Sequence, residues 1–341
     1  MSLFDDYKPL PGARDELFGQ DGKYRPDFVK ALSALGKRDL AAFARSQSLA
    51  EKALLHQGVT FSVYKDQQGT EKIFPFCLIP RVISAPDWAK LERGLLQRLR
   101  ALSLFLDDVY GDQRILDAKV VPRELVLGAK AFLPSLRGVT PSGGVRVHIS
   151  GIDLIRDPDG TFRVLEDNLR TPSGVSYVLE NRLVSKRVLP EVIDAARVHR
   201  VDHYPARLAE TLRSVSPVSP EESCVVVLTP GPFNSAYFEH SFLARTMGVE
   251  LVQAADLYVD SAKGGDEVFL RTTLGPRRVH VIYRRTDEAF LDPEEFRKDS
   301  MIGVPGLMRS YRAGKVALAN APGNGVADDK AMYAFVPEMI R

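Results

Sequence analysis

The sequence has 341 residues, 45% hydrophobic and 26% charged, ordinary figures for a globular chain of two or three domains. Its 46 basic and 44 acidic residues leave a formal net charge of +2, which gives no electrostatic ground for a nucleic-acid or anionic-membrane partner. Two cysteines, Cys77 and Cys224, are too few for a disulfide scaffold; each sits in an apolar run that suits core packing. The N-terminus lacks the pattern of a signal peptide and no apolar run approaches the length of a membrane span, so a cytoplasmic location is expected.

In chain order, residues 1–25 are rich in Pro, Gly and Asp and read as an extended arm. Residues 26–57 carry helical periodicity at Phe28, Leu32, Leu35, Leu40, Phe43, Leu49 and Leu54. A strand pair is expected from Thr60 and from Lys72, around a turn at Asp66-Gln-Gln-Gly69. Ser84-Ala-Pro-Asp87 opens a long helix whose stripe Trp88, Leu91, Leu95, Leu99, Leu102 and Leu106 reads as core.

The segment from His148 to Arg170 is the most informative. It reads as two strands joined at Asp157-Pro-Asp159-Gly160, a dense cluster of turn formers. With a two-residue turn, Asp157 pairs with Gly160 and Asp153 with Val164, so that Asp153, Glu166 and Asn168 share a face. Asp153 and Glu166 are then diagonal neighbours, roughly 7–8 Å apart at the backbone. Two carboxylates and an amide oxygen so placed suit Mg²⁺, which binds one or two carboxylates together with substrate phosphates. An acidic hairpin on a solvated sheet face is the alternative, and a one-residue bulge would move Asp153 to the other face.

A helix is expected from Pro172-Ser-Gly174 through Val184 and Leu189, and Ser214-Val-Ser-Pro-Val-Ser-Pro220 is the best linker candidate. Cys224–Leu228, a helix over Ser235–Met247 closed by Gly248, and Val249–Val252 form a βαβ unit; Val279–Tyr283 is a further strand. That strand runs into Arg284-Arg285-Thr-Asp287, at the end where open α/β sheets bind ligands. Adjacent arginines in an extended chain face opposite ways, so one of the two is expected in a cleft. Gly231, Asn234 and Ser235 lie at a strand-to-helix turn suited to anions. His240, inside the helix, reads first as a buried, satisfied histidine. Asn320-Ala-Pro-Gly323-Asn-Gly325-Val-Ala-Asp-Asp329-Lys330 is a Gly-rich loop in which Lys330 could meet a phosphate, though it is not a Walker A sequence. No dinucleotide fingerprint, Gly-x-Ser-x-Gly or His-Glu-x-x-His motif occurs.

The blocks His148-Ile-Ser-Gly-Ile-Asp153, Val-Leu-Glu166-Asp-Asn168-Leu-Arg170-Thr-Pro-Ser-Gly, Pro-Gly-Pro-Phe-Asn234-Ser-Ala-Tyr-Phe-Glu239-His240, Val-Ile-Tyr-Arg284-Arg285-Thr-Asp287 and the Asn320–Lys330 loop together resemble the circularly permuted ATP-grasp proteins, over roughly residues 60–341. More distantly they are similar to glutathione synthetase and glutathionylspermidine synthetase. The resemblance implies an α+β fold: a circularly permuted ATP-grasp domain, incomplete at the C-terminus, with a βαβ-containing, pre-ATP-grasp-like domain. The domains expected are 1–58 (arm and helical extension), 59–213 (ATP-grasp portion with the hairpin), 221–319 (α/β substrate domain) and 320–341 (return to ATP-grasp).

It further implies an ADP-forming carboxylate–amine ligase that uses ATP and Mg²⁺ and works through an acyl-phosphate. Asp153, Glu166 and Asn168 would hold the metal, with Asn168 and Lys330 at the nucleotide. Arg170 and Arg284 would act in catalysis, and Asn234, Ser235, His240, Arg285 and Asp287 would bind substrate. The partners implied are small carboxylate and amine or peptide substrates, with homo-oligomerisation left open. Family members usually continue past Arg341 into a Val-Val-Lys strand and a phosphate loop, so a fragment with weak or absent activity is expected. Two rivals stand beside this reading: a non-catalytic ATP-grasp-like binding or scaffold protein, and a transferase using a nucleotide-activated donor.

Overall fold

The computed structural model describes residues 3–63, 70–73, 75–262 and 265–341, with side chains at all of these except 61–63 and 70–73. The turn expected at Asp66–Gly69 lies outside the described residues. In chain order the elements are α1 (Val29–Leu35), α2 (Leu40–His56), β1 (Thr60–Val63), β2 (Thr70–Ile73), α3 (Ala85–Tyr110), α4 (Arg114–Asp117), α5 (Arg123–Leu127), β3 (Gly151–Arg156), β4 (Phe162–Asn168), α6 (Val175–Val188), α7 (Pro190–Ala196), α8 (Tyr204–Ser214), β5 (Val225–Leu228), α9 (Tyr237–Met247), β6 (Glu250–Val252), β7 (Leu257–Asp260), β8 (Glu267–Leu270), β9 (Arg277–Arg278), β10 (Val281–Arg284), α10 (Leu307–Arg312), β11 (Ala317–Ala319), α11 (Gly325–Asp328) and α12 (Val336–Ile340).

The chain forms two compact units, each discontinuous in sequence. The first comprises 1–93, 155–163 and 174–203; the second comprises 94–154, 164–173 and 204–341. The Ser/Pro run at 214–220 lies inside the second unit.

In the first unit α1 packs on α7 and α2 on α6, closing over Leu32, Leu35, Leu54, Val184, Leu189 and Val192, all buried. Pro190 separates α6 from α7, because a proline inside the helix would lack the N–H for the next bond. Arg38 ties the two helix pairs together, donating to Glu191 at 2.6 Å and to the Ser46 hydroxyl at 2.7 Å. The first 25 residues are not an extended arm. Phe4, Tyr7, Phe18 and Tyr24 form a ring cluster, and Phe18 and Tyr24 share a β-bridge. β1 and β2 pair antiparallel, Thr60 opposite Ile73. Cys77, expected in the core, is exposed, and its neighbour Leu78 is buried.

The second unit is built on a four-stranded parallel sheet in the order β11-β10-β5-β6. Val281 pairs with Val225 and with Ala317, and Leu228 pairs with Arg284 and Val252. β5, β10 and β11 are buried along their whole length, as expected of strands covered on both faces. Gly248 at φ +69° ends α9 and turns the chain into β6. An antiparallel sheet β7-β8-β9, which the sequence analysis did not anticipate, follows β6. The α3 stripe is core only toward its C-terminal end. Leu102 and Leu106 are fully buried; Leu91, Leu95 and Leu99 are half-buried, and Trp88 is half exposed.

Because the sheet is parallel, three loops gather at one edge: Thr229–Ala236 after β5, Arg285–Asp287 after β10, and Asn320–Asn324 after β11. That edge carries the site.

Candidate active site

The hairpin β3–β4 is present, but its turn is one residue longer than the two-residue kind. The Asp157 N–H donates to Thr161 O at 2.9 Å, and the Gly160 N–H donates to Asp157 O at 2.8 Å. Gly160 adopts φ +92°, a left-handed conformation that costs glycine little. This is a type I turn closed by a glycine bulge, so the expected pairing of Asp157 with Gly160 is corrected to Asp157 with Thr161.

At the open end, a Cβ placed on Gly151 would lie 3.6 Å from the Cβ of Asn168. Gly151 and Asn168 therefore sit side by side. The expected pairing of Asp153 with Val164 is corrected: counted from Asp157–Thr161, the ladder sets Asp153 opposite Leu165, both exposed, and turns Asp153 to the face away from Glu166. Asp153 is exposed and makes no hydrogen bond or ion pair among the described residues.

Asn320, at the end of β11, fixes that open end. Its Oδ1 accepts from the His148 and Ile149 N–H groups at 2.7 and 2.9 Å. Its Nδ2 donates to Ile149 O at 2.6 Å and to Leu169 O at 2.8 Å. One side chain thus joins the chain entering β3 to the chain leaving β4. Asn324 adds a second tie, donating to Arg146 O and Leu169 O.

Arg170 leaves β4 between two carboxylates. Its Nε donates to Asp328 at 2.7 Å, and Nη1 lies 3.5 Å from Asp287. Asp328 also accepts from the Leu169 N–H, so it holds both backbone and side chain at this point. Burial alone would lower the Arg170 pKa; the Asp328, Asp287 and Glu288 carboxylates outweigh it and raise it. The guanidinium stays charged and 42% exposed, with an edge left for an anion. Gly325 sits tight beneath it: a Cβ there would come within 3.1 Å of Arg170 Cδ and 2.7 Å of Ala131 Cβ. Lys330 reaches Glu166 at 3.4 Å and is three-quarters exposed. Of the residues named from sequence, contacts join Lys330 to Glu166 and Arg170 to Asp287.

Other anticipated residues have structural duties. Arg284, expected in catalysis, is fully buried. It donates to the carbonyls of Asn320, Thr286 and Ala321 and lies 3.6 Å from Glu288. It braces the loop after β11 and has no free edge for a reactant. Arg285, expected at the substrate, is 6% exposed and donates to Pro172 O, the Tyr283 hydroxyl and Glu239. Both arginines point into protein, contrary to the expectation that one would face a cleft.

His240 is buried, with Nδ1 2.9 Å from the Thr229 hydroxyl, and burial pushes its pKa down to about 3. It packs as a neutral ring held by the Thr229 hydroxyl. The Asn234 side-chain Oδ1 caps the turn by accepting from the Ala236 N–H, and Ser235 is exposed at the same loop.

Asp328 and Glu288 were not singled out from sequence. Asp328 stands two residues before Lys330 in the quoted loop, and only its contact with Arg170, remote in sequence, reveals it. Glu288 is buried, its pKa is raised by burial, and it accepts from the Gly323 N–H at 2.9 Å.

A family model described as circularly permuted ATP-grasp type 2 matches residues 80–341. The chain belongs to that family. It is 51% identical over 96% of its length to a Synechocystis protein, of which it spans 67%. It is 50% identical to a Mycobacterium tuberculosis protein, of which it spans 58%. A Frankia alni protein provisionally named glutamate–cysteine ligase 2-3 is 41% identical over 99% of this chain, which spans 38% of that protein. Among solved structures, a glutathione synthetase-like effector from Globodera pallida, in apo form, aligns with a TM-score of 0.53 at 13% identity, covering 89% of this chain and 68% of its own. That likeness speaks for the ATP-grasp fold alone. No helix among the described residues is long and apolar enough to cross a membrane.

Proposed function

We propose that the chain carries the magnesium–nucleotide edge of an ATP-dependent carboxylate–amine ligase. The observation that carries this reading is the Lys330–Glu166 contact of 3.4 Å, beside Arg170 on the same stretch of chain. It sets a phosphate-type cation against a metal-type carboxylate that lies far from it in sequence.

The residue types suit magnesium. Glu166 and Asn168 offer hard oxygens on one face of β4, and the Asp153 side chain on the neighbouring strand has no competing partner among the described residues. When bound, Mg²⁺ would neutralise phosphate charge. The chain's own part is to bring Arg170 and Lys330 to the phosphate oxygens and to keep Arg170 charged through Asp328.

In the reaction proposed, a substrate carboxylate oxygen attacks the γ-phosphorus and ADP leaves. The amine then attacks the acyl carbon and phosphate leaves. Positioning and charge neutralisation supply the rate, so no protein nucleophile is required. With Arg284 buried, Arg170 is the arginine available to the transferred phosphoryl group. The Frankia names support glutamate-type substrates for the longer relatives.

The test is ADP release screened over amino acids, polyamines and small peptides, with and without Glu166→Ala. Acceptor-dependent release abolished by the substitution supports the ligase. The burial of Arg284, Arg285 and His240 favours a second reading, a non-catalytic nucleotide-binding protein. Nucleotide binding without ADP release for any acceptor would select it.

A further inference from the structure

The edge of the parallel sheet opposite the site, where β5, β6 and β10 begin, holds a cavity of about 410 Å³. Its lining includes Arg213 from the last turn of α8, Ser223 before β5, Arg277 and Arg278 on β9, and His280 before β10. Two carboxylates, Glu222 and Glu250, also border it.

Its polar groups do not balance. Glu222 is engaged by the Ser219 hydroxyl at 3.1 Å, and Glu250 lies 3.6 Å from Arg277. Arg278 spends one terminal nitrogen on Glu267 and the other on Lys315 O, yet its Nε is buried without an acceptor. The Ser223 hydroxyl is likewise buried with no partner. Arg213 is half-buried and its guanidinium makes no hydrogen bond or ion pair among the described residues. His280 accepts the Cys224 N–H on Nδ1 at 3.0 Å, which leaves the proton of the neutral ring on Nε2 as a further donor.

Donors without acceptors at a concave, partly desolvated surface are the complement of an anion; a buried unpaired donor is otherwise costly. We propose that this cavity binds a small oxyanion, phosphate or carboxylate, gripped by Arg213, the Ser223 hydroxyl and the Arg278 Nε. It is a site separate from the nucleotide edge and does not depend on the ligase reading. The volume exceeds that of a bare phosphate, so the oxyanion would be the head of a small metabolite.

The experiment is calorimetric titration of the chain with inorganic phosphate and, in a second arm, with succinate; the stronger binder identifies the head group. Saturable binding of either is expected. Arg213→Gln should weaken it at least about tenfold, the loss of a charge-assisted hydrogen bond, and Ser223→Ala several-fold. Glu166→Gln should leave it within about twofold, because that carboxylate belongs to the other edge. Circular dichroism of each variant controls for folding. No saturable binding of either anion, or binding that Arg213→Gln and Ser223→Ala both leave unchanged, overturns the proposal. Loss of binding in Glu166→Gln alone also overturns it, by moving the anion to the nucleotide edge.

Discussion

Arg98 spans the whole carboxylate of Asp167: Nε lies 3.0 Å from each oxygen and Nη2 lies 2.6 Å from one of them. Asp167 is completely buried and stands between Glu166 and Asn168, on the opposite face of β4. The Tyr333 hydroxyl accepts its N–H at 3.0 Å and lies within hydrogen-bond reach of its carbonyl. The middle residue of Glu166-Asp167-Asn168 is thus pinned at side chain and backbone, which aims its two neighbours.

Removing one partner of such a pair leaves a buried charge uncompensated. Arg98→Leu should therefore cost about 3–5 kcal/mol in urea unfolding, while the double substitution with Asp167→Leu should recover much of that loss. Magnesium–nucleotide affinity should fall in both, because the flanking residues lose their anchor. A double variant that regains stability and also full affinity would show that the pair does not position the site.

Gly325→Ala places a methyl group against Arg170 Cδ at 3.1 Å and Ala131 Cβ at 2.7 Å. The crowding should cost about 1–3 kcal/mol and displace the guanidinium. Thermal unfolding and nucleotide titration read the two effects separately.

Lys330→Ala should behave in the opposite way. The Lys330–Glu166 pair is largely solvated, at 75% and 28% exposure, so stability should change by no more than about 0.5 kcal/mol. Nucleotide affinity should nevertheless drop several-fold, through the lost phosphate contact. Unchanged affinity would remove Lys330 from the site.

His240, buried, and His148, whose ring nitrogens are buried, contribute to the acid side of the stability profile. Burial lowers the pKa of His148 to about 4 and that of His240 to about 3, against an ordinary 6.5. The unfolded chain then binds more protons than the folded one below pH 6.5, so stability falls as the pH drops from there toward the folded values. At pH 5 each histidine should cost roughly 2 kcal/mol relative to pH 7. Urea midpoints at the two pH values check this, and His240→Gln should flatten the difference; an equal difference in the variant would exclude His240.

What was legible in the sequence follows from where the signals are local. The βαβ unit could be read because Val225–Leu228 is continuously apolar and Gly248 marks a helix end. Asp157-Pro-Asp159-Gly160 announced a turn, but a left-handed Gly160 serves a two-residue loop and a bulged turn alike, so the register did not follow from it. The ring cluster of Phe4, Tyr7, Phe18 and Tyr24 has neither a strand nor a helix period, and so passed for an arm. Arg284 and Arg285 illustrate the deeper limit. A charged residue after a strand looks the same in sequence whether it meets a ligand or, as here, backbone carbonyls from other elements. The partners of Arg170 and Asn320 are likewise remote along the chain, and only the parallel sheet brings them together.

Calorimetric titration of Mg–ADP into the chain and into Glu166→Gln tests the central claim most directly. Saturable binding that requires the metal and weakens at least about tenfold in the variant, through loss of a charged ligand, is expected. Equal affinity in the two proteins, or binding undiminished by chelation of magnesium, would contradict it.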